Sequence, residues 1–385
     1  MRGGPAEAAR LQFPSAFHVG VSAWTQWRRA MFIPTYMALL ELSSAGLYCS
    51  AAQAHIDPWR GVDRAIITHG HSDHARAGSR CYLAQQQSLP ILRARLGKID
   101  AQGLNYGETV LLGDVRVSLH PAGHVLGSAQ VRLEHRGEIW VVSGDYKTHA
   151  DPTCARFEPV RCHGFVTEAT FALPVYRWPA PEQVAAEIDA WWAENQTLGR
   201  TSVVFAYSLG KAQRALAMLP ELRGPIFAHG AVLKMIDAYR AAGVALPSVE
   251  LATAEAIRAC KGKCLLIAPP STDGSTWLQK FGPVSTAVAS GWMRIRGARR
   301  RRNVDRGFIL SDHADWDGLN SSVRATGAEQ VWVTHGFTNP LARYLQDQGL
   351  QARPLETRFS SAGEETDESN SSADPQAAIP DGQNY

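Results

Sequence analysis

His69-Gly70-His71-Ser72-Asp73-His74 is the stretch that decides how this chain folds. It follows an apolar, strand-like run at 65–68 and precedes small residues at 75–78 that could open a helix. A rigid strand end followed by a tight turn can direct three imidazoles and a carboxylate into one cavity. That mixture of nitrogen and oxygen ligands suits two divalent cations. The motif therefore predicts a metal site at the end of a strand.

The composition is that of a globular protein with a buried core. The chain has 385 residues, of which 45% are apolar and 19% charged, enough for two modest domains or one domain with a large insertion. Residues 359–385 contain six acids and no Lys or Arg, so the rest carries a net charge of +9 against +3 for the whole chain. A mildly basic body permits a polyanionic substrate.

Cysteine usage and hydropathy bear on the compartment. The six cysteines are scattered and contain no C-x-x-C pair, which predicts reduced thiols and a cytoplasmic protein. No apolar run approaches the roughly 18 residues needed to cross a bilayer, so we expect no contact with a membrane. Residues 1–36 show no periodicity, and we interpret them as an N-terminal extension outside the native start.

The pattern of strands and helices changes twice along the chain. Strand-like segments dominate residues 37–172, which predicts a sandwich of β-sheets. Helices alternate with strands over 173–302, which predicts an inserted α/β domain. The first architecture is expected to resume over 303–358, and the polar tail 359–385 is expected to be disordered. The predicted strands are 38–42, 46–49, 65–68, 109–112, 115–119, 129–133, 139–143, 201–206, 225–228, 263–268, 285–290, 306–310 and 330–333; the predicted helices are 85–95, 181–194, 211–219 and 232–241.

Two metals need more ligands than the first motif supplies, and later strand ends offer them. His124 lies between two predicted strands, and its flanking glycines favour it over the competing His120. Asp145 follows a hydrophobic strand. A carboxylate at that place can bridge two cations, because each oxygen can bind one.

The sequence resembles the metallo-β-lactamase superfamily. The residues that carry this resemblance are His69, His71, Asp73, His74, His124 and Asp145. The resemblance extends to the branch with an inserted cap, the β-CASP nucleases, through Glu168, His313, His335 and the segment 205–213. It covers about residues 37–358. Within the branch, bacterial ligase-associated DNA exonucleases, which are similar to mRNA 3′-end processing factors, look closest from segments 46–49 and 56–59 and from the arginine-rich run before His313.

The resemblance implies an αββα sandwich with an inserted α/β cap and two divalent metal ions, Zn²⁺ or Mn²⁺. His69, His71 and His124 would bind one metal, Asp73, His74 and His335 the other, and Asp145 would bridge them. The implied catalytic residues are His313, Glu168 and Asp73, with Glu168 orienting His313.

Physical reasoning agrees with a phosphodiesterase. Two cations close together can activate a shared water and stabilise the attacked phosphoryl group, and His313 can protonate the leaving oxygen as a general acid. The predicted function is hydrolysis of DNA by hydroxide attack, as an exonuclease in repair. The alternatives are an RNA-processing nuclease of the same branch, a small-molecule metallo-hydrolase and a catalytically silent scaffold. The inserted domain, Glu168 and His313 argue against a small substrate.

A run of arginines precedes His313. Guanidinium groups suit phosphate oxygens because they donate in pairs, although such a run can also be a solvated face. Lys211, at the start of a predicted helix, is a further candidate for phosphate binding. We expect DNA, or alternatively RNA, as the partner, and by resemblance a DNA ligase or helicase of the same repair system. The arginines predicted to contact nucleic acid are Arg294, Arg296, Arg299, Arg300, Arg301 and Arg302.

Overall fold

A computed structural model describes residues 39–220, 223–301 and 304–355, except for the side chains of 298, 299 and 301. The predicted N-terminal extension 1–36 and disordered tail 359–385 lie outside these ranges.

The fold is α/β, as predicted. The strands are β1 (Glu41–Ser43), β2 (Gly46–Cys49), β3 (Ala54–Ile56), β4 (Arg64–Ile66), β5 (Cys81–Gln85), β6 (Ala101–Leu104), β7 (Thr109–Leu112), β8 (Val115–Pro121), β9 (Ala129–His135), β10 (Glu138–Val142), β11 (Gly164–Ala169), β12 (Thr201–Phe205), β13 (Ile226–Ala228), β14 (Glu250–Leu251), β15 (Leu265–Ala268), β16 (Val284–Ala289), β17 (Arg306–Phe308), β18 (Gln330–Gly336) and β19 (Gln351–Pro354).

The α-helices cover the faces of the sheets. No helix among the residues described is long and apolar enough to cross a bilayer. The helices are α1 (Leu89–Leu96), α2 (Pro181–Thr197), α3 (Lys211–Ala217), α4 (Gly230–Ala241), α5 (Ala254–Ala259), α6 (Thr276–Gln279), α7 (Arg296–Arg301), α8 (Trp316–Thr326) and α9 (Thr338–Asp347).

The first sheet contains β1 to β6 in chain order. Its first three strands pair antiparallel, and β3 to β6 pair in parallel. The predicted strands at 38–42 and 46–49 correspond to β1 and β2, which pair as a hairpin with Ser43 opposite Gly46 at its turn. Residues 75–78 do not open a helix, contrary to the expectation: the turn closed by the main-chain N–H groups of His74 and Ala75 on the carbonyl of His71 is not continued, and the backbone leaves helical geometry at Gly78, with φ of 98°.

The second sheet has the order β19-β18-β11-β10-β9-β8-β7. It is antiparallel from β7 to β10 and parallel from β10 to β19. It faces the first sheet across a shared core that includes Ile66 and Leu83 on one side and Val117, Val131 and Trp140 on the other. Helix α1 packs on the outer face of the first sheet, and α8 and α9 pack on the outer face of the second. The sequence missed α8 and α9.

The third sheet is parallel throughout, in the order β14-β13-β15-β12-β16-β17. Helices cover both of its faces. The β-sandwich predicted for residues 37–172 is expected to resume at 303. This expectation is wrong for Arg306–Phe308, because this strand pairs with β16 in the third sheet. A three-residue strand carries too little sequence signal to reveal which sheet it joins. The remaining domain boundaries stay a prediction.

The segment between β12 and α3 contacts α1 and the loop between β8 and β9. Leu209, from that segment, and Tyr239, from α4, pack with Ile91 of α1 and Leu126. The main-chain N–H of Leu126 also donates to the hydroxyl of Tyr239 at 3.2 Å. These contacts hold the chain around Leu209 close to the His69 motif.

A substitution at Trp192 tests the packing of the core of the third sheet. The Trp192 side chain is 0% exposed and packs with residues from several strands of the sheet. We expect Trp192→Ala to lower the free energy of unfolding by about 3–5 kcal/mol, because it removes a large buried ring and leaves a cavity. Guanidinium unfolding followed by circular dichroism measures the change. Leu198→Ala, at a side chain that is 56% exposed, is the control and should change stability by less than about 0.5 kcal/mol. Equal losses from both variants would contradict this packing.

Candidate metal centre

The predicted ligands lie at or beyond the carboxyl ends of strands in the two facing sheets. The His69 motif follows β4, and Asp145 follows β10. His124 lies between β8 and β9, and His335 lies near the end of β18. The chain brings them into neighbouring groups with ligand atoms within 4.8 Å of one another: His69, His71, His124 and Asp145; Asp73, His74 and His335; and Asp145, Glu168 and His313.

Three imidazole nitrogens meet at one point. Nε2 of His69 lies 3.1 Å from Nδ1 of His71, and Nε2 of His124 lies 3.0 Å from the same Nδ1. His120 takes no part, because its Nε2 lies 3.0 Å from the hydroxyl of Ser118. The structure therefore places His124, and not its competitor, in the cluster.

Main-chain carbonyls fix the tautomers of two of these rings. Nε2 of His71 lies 3.2 Å from the carbonyl oxygen of Leu209, and Nδ1 of His124 lies 2.8 Å from that of Asp312. A carbonyl oxygen only accepts, so each of these nitrogens carries the proton. The nitrogens that face the cluster then carry lone pairs and no proton, and imidazole in that state is a metal ligand.

Asp57 fixes the other two rings of the motif. Its carboxylate accepts from the Thr68 hydroxyl at 2.6 Å and from Nδ1 of His74 at 2.7 Å. Because the Thr68 proton goes to Asp57, the hydroxyl oxygen accepts from Nδ1 of His69 at 3.0 Å. Nδ1 of both His69 and His74 is therefore engaged in these hydrogen bonds, and Nε2 is the nitrogen of each ring that faces the cluster. Sequence reasoning did not assign Asp57 to the site, although the residue directly precedes Pro58 at the end of a short apolar strand.

Asp145 lies between the groups, as a bridging ligand requires. Its Oδ2 is 3.4 Å from Nε2 of His74, 3.6 Å from Nε2 of His69 and 3.8 Å from Nε2 of His124. Oδ1 of Asp145 and Nε2 of His74 are buried and have no hydrogen-bond partner among the residues described. Buried polar atoms without partners are costly, and a cation between these residues would satisfy them. The donor set thus fits divalent metal ions.

His335 owes its position to a break in the sheet. The register between β11 and β18 pairs Glu168 with Thr334 and Ala169 with Gly336, so His335 is the extra residue of a bulge. Its φ of 55° lies in the left-handed region, which non-glycine residues rarely occupy. Gly336 follows with φ of 74°, and a Cβ there would lie 2.5 Å from the carbonyl oxygen of Ala169. The bulge turns the His335 ring towards His74, with the ring centroids 5.2 Å apart.

Glu168 and His313 form a buried pair beside the metal ligands. Nδ1 of His313 donates to Oε2 of Glu168 at 2.9 Å, and Oε1 of Glu168 accepts from the main-chain N–H of Tyr146 at 2.8 Å. Glu168 is 0% exposed, whereas 10% of the His313 side chain is exposed. Glu168 therefore fixes the ring of His313, and Nε2 is the nitrogen through which His313 can exchange a proton with a bound molecule.

Burial lowers the pKa of His69 and His124 well below the usual value, and the neighbouring histidines lower it further. Burial also lowers the pKa of His335, with a further contribution from His74. These rings are neutral at neutral pH, the state in which imidazole binds a metal.

The carboxylates have the opposite effect on His74. Burial alone would lower the pKa of His74, but Asp145, Asp73 and Asp57 raise it well above the usual value. Burial likewise opposes ionisation of Asp145 and Asp73, yet the surrounding histidines, His74 foremost, keep the pKa of both acids below the usual value. Both acids are therefore carboxylates, the form that can bind a cation.

Lys211 does not present its charge to solvent. It is 2% exposed, and its Nζ lies 3.7 Å from Asp312 and 4.5 Å from the centre of the Tyr207 ring. The expectation that Lys211 binds phosphate is therefore unsupported, because a direct contact would require this ammonium to leave its buried site. Arg214, on the same helix, was missed by sequence reasoning and also reaches the turn before His313, donating to the carbonyl of Ser311.

The arginine run lies partly on the surface. Arg294, Arg296 and Arg300 are exposed, and Nε of Arg294 donates to the carbonyl of Val175 at 3.3 Å. The side chains of Arg299, Arg301 and Arg302 lie outside the described part of the chain. Their contact with nucleic acid stays a prediction.

Comparisons with known proteins identify relatives of this chain. No family model matches it. It is 32% identical over 356 residues to a "Probable DNA ligase" of Opitutus terrae, covering 88% of this chain and 34% of that one. It is 23% identical to cleavage and polyadenylation specificity factor 73 of Drosophila melanogaster over 66% of this chain and 44% of that one. It is 21% identical to an RNase J-like protein of Methanocaldococcus jannaschii over 47% of this chain and 50% of that one.

The chain thus spans about a third to a half of these relatives. Among solved structures, it matches a protein of unknown function from Enterococcus faecalis V583 with a TM-score of 0.53 and 12% identity, covering 77% of this chain and 80% of that one. At such low identity the match shows a shared fold and nothing more.

Asp57 offers a test of the metal centre outside the predicted ligands. We expect Asp57→Asn to weaken metal binding about 10- to 100-fold, because an amide no longer accepts equally from Thr68 and His74 and leaves the His74 ring less firmly oriented. Competition with a fluorescent chelator, using Zn²⁺ and then Mn²⁺, measures the affinity. The control is Asp63→Asn, an exposed acid that pairs with Arg80 and should leave the affinity unchanged. Equal affinities for Asp57→Asn and the wild-type chain would contradict this role of Asp57.

Proposed function

This chain belongs to the β-CASP branch of the metallo-β-lactamase superfamily, and we propose that it is a metal-dependent nuclease that hydrolyses DNA as an exonuclease in repair. The observation that carries the proposal is the Glu168–His313 pair beside the cluster of predicted metal ligands. The exposed arginines Arg294, Arg296 and Arg300 favour a polyanionic substrate over a neutral small molecule. In this interpretation the two facing sheets are the αββα sandwich, and the third sheet with its helices is the cap.

Two divalent cations, Zn²⁺ or Mn²⁺, would bind to the converging nitrogens and carboxylates. Asp145 would be shared, since its Oδ2 lies within 3.8 Å of histidines from both groups. When bound, such a pair supplies an activated water and neutralises charge at the attacked phosphorus. The ligands would be His69, His71, Asp73, His74, His124, Asp145 and His335.

The residues of the protein contribute a proton donor to cleavage of the bond between phosphorus and the leaving sugar oxygen. The sugar oxygen that leaves phosphorus is strongly basic and needs a proton as the bond breaks. His313 in its protonated form donates that proton from Nε2, while the Glu168 carboxylate holds Nδ1 and stabilises the imidazolium. A positioned general acid of this kind contributes about 10²- to 10⁴-fold in rate.

The substrate class follows from the relatives. The relative named a DNA ligase matches nearly the whole of this chain, and about two thirds of that protein lies outside the match. This relative combines a region similar to this chain with a larger remainder, and it is named a DNA ligase. That combination supports DNA as the substrate of this chain and a DNA ligase as its partner. Relatives named for RNA, such as the endoribonuclease ysh-1 of Neurospora crassa, are less similar and match smaller parts of the chain, and they make RNA the alternative. Six unpaired cysteines support a place in the reducing cytoplasm.

A nuclease assay with matched variants tests the proposal. End-labelled single- and double-stranded DNA and RNA of the same sequence are incubated with the chain and Zn²⁺ or Mn²⁺. We expect DNA to be shortened from its ends, His313→Ala to lower kcat about 10²- to 10⁴-fold with unchanged metal content, and Asp73→Ala to lose both metal and activity. His120→Ala, outside the cluster, should behave as wild type.

Each result has a distinct meaning. RNA cut much faster than DNA would overturn the repair assignment and favour the RNA alternative. Activity of Asp73→Ala equal to that of the wild-type chain would exclude Asp73 as a metal ligand. Loss of metal from His313→Ala would show that His313 is a ligand and not the general acid.

The exposed arginines affect binding in a different way. If Arg294 and Arg300 contact phosphates, replacing each by Ala should reduce the slope of log K against log salt by about 0.7–0.9 per lost contact, regardless of sequence. Fluorescence anisotropy with a labelled oligonucleotide at several salt concentrations measures the slope. Arg343→Ala, on the exposed side of α9, is the control. Slopes that do not differ between these variants and the control would place the arginines off the substrate path.

A further inference from the structure

Aromatic side chains gather where three strands end, and the proposed mechanism does not use them. Phe171 follows β11, Trp292 follows β16 and Phe337 follows β18. The Phe171 and Trp292 rings lie 4.8 Å apart, and the Trp292 and Phe337 rings 6.3 Å apart. Tyr176 joins them, with its ring 4.9 Å from Phe171 and 6.0 Å from Phe337. We call these four rings, with Trp178, the aromatic cluster.

The aromatic cluster adjoins the catalytic residues. The ring of Phe171 lies 5.9 Å from that of His313 in an edge-on arrangement, and the indole N–H of Trp178 donates to the carbonyl of His313 at 2.9 Å. Phe337 is two residues beyond His335 along the chain. The aromatic cluster therefore lies beside the residue proposed as the general acid.

Burial separates the cluster into a base and an outer surface. Phe171 and Tyr176 are 0% and 4% exposed, whereas Trp178, Trp292 and Phe337 are partly exposed. The indole nitrogen of Trp292 is itself buried, so the part of Trp292 that remains exposed does not include it. What Trp292 and Phe337 offer to a ligand is therefore mainly aromatic carbon.

Gly291 allows this packing. A Cβ at Gly291 would lie 2.6 Å from Cζ of Phe171, closer than real Cβ atoms come, and 3.0 Å from the Trp178 ring. The chain before Trp292 can therefore approach the buried base of the aromatic cluster only because position 291 has no side chain. Trp292 is thus held against Phe171.

Positive charge borders the exposed rings. Arg294 lies two residues beyond Trp292 and is exposed, and α7 continues with exposed Arg296 and Arg300. An apolar peptide or lipid would gain little from such a border. A nucleotide presents both a flat π-face and a phosphate, the combination that aromatic rings beside guanidinium groups bind in single-stranded nucleic acids.

We propose that Trp292 and Phe337 form a stacking subsite for the nucleobase of the nucleotide next to the scissile phosphate, with Arg294 beside the following phosphate. The proposal rests on the proposed function, since it presumes a nucleic-acid substrate. Binding is by ring stacking, so the subsite accepts every base and gives no sequence preference. It does require that a base be present and unpaired.

An abasic substrate tests the subsite directly. Oligonucleotides of one sequence carry either a normal nucleotide or a tetrahydrofuran abasic residue at the end that is cleaved, and kcat/KM is measured for both with metal-loaded protein. For the wild-type chain we expect the missing base to lower kcat/KM about 5- to 150-fold, the range for one base stacked on an aromatic ring. Trp292→Leu should show a similar loss with the normal substrate and little further loss with the abasic one.

Trp277→Leu is the matched control, because this partly exposed tryptophan contacts the rings of His229 and Phe281 instead. It should discriminate against the abasic substrate as the wild-type chain does. Equal kcat/KM of the wild-type chain for both substrates would overturn the subsite, and so would unchanged discrimination by Trp292→Leu. If Trp292→Leu does not fold, as judged by circular dichroism, Phe337→Leu takes its place under the same criteria. No cleavage of either substrate by the wild-type chain would refute the nuclease function itself.

Discussion

Three imidazole nitrogens at separations of 3.0 and 3.1 Å, with their lone pairs facing one another, form the constraint around which the site is arranged. Without an electron-pair acceptor between them they would repel, so the geometry is stable only if other contacts hold each ring. Those contacts come from three separate places: the hydroxyl of Thr68, the carbonyl of Leu209 and the carbonyl of Asp312. The ligand geometry thus depends on how all three sheets are assembled.

The turn that contains Asp312 links the third-sheet region to the metal centre. The main-chain carbonyl of Asp312 accepts from Nδ1 of His124. The carboxylate of Asp312 lies 3.7 Å from Nζ of Lys211 and 3.8 Å from Arg214, both on α3. These side chains are almost fully buried, and removing one partner of such a set leaves an uncompensated charge. His313 is the next residue, so the ion pairs that fasten α3 to the turn also position the proposed general acid. The position of α3 and that of His313 are therefore coupled.

Much of the local structure could be predicted from sequence because it depends on neighbouring residues. The hairpin at 38–49 and the helix that begins at Pro181 follow from turn residues and apolar periodicity. The sequence does not predict helix α8, although Asp315 caps this helix by accepting from the main-chain N–H of Gly318. The sheet that contains strand Arg306–Phe308 is predicted wrongly, because it is the pairing with β16 that puts this strand in the third sheet.

The sequence by itself determined which residue types stand at the site, since His69 to His74 concentrate four candidate ligands in six positions. Only the tertiary structure decided which nitrogen of each ring faces the cluster and that Lys211 is buried, whereas the glycines that flank His124 already favoured it over His120. The hydrogen bonds responsible join residues 138 positions apart in one case and 188 in another. Tautomer and burial depend on such distant partners, and local spacing along the chain contains no information about them.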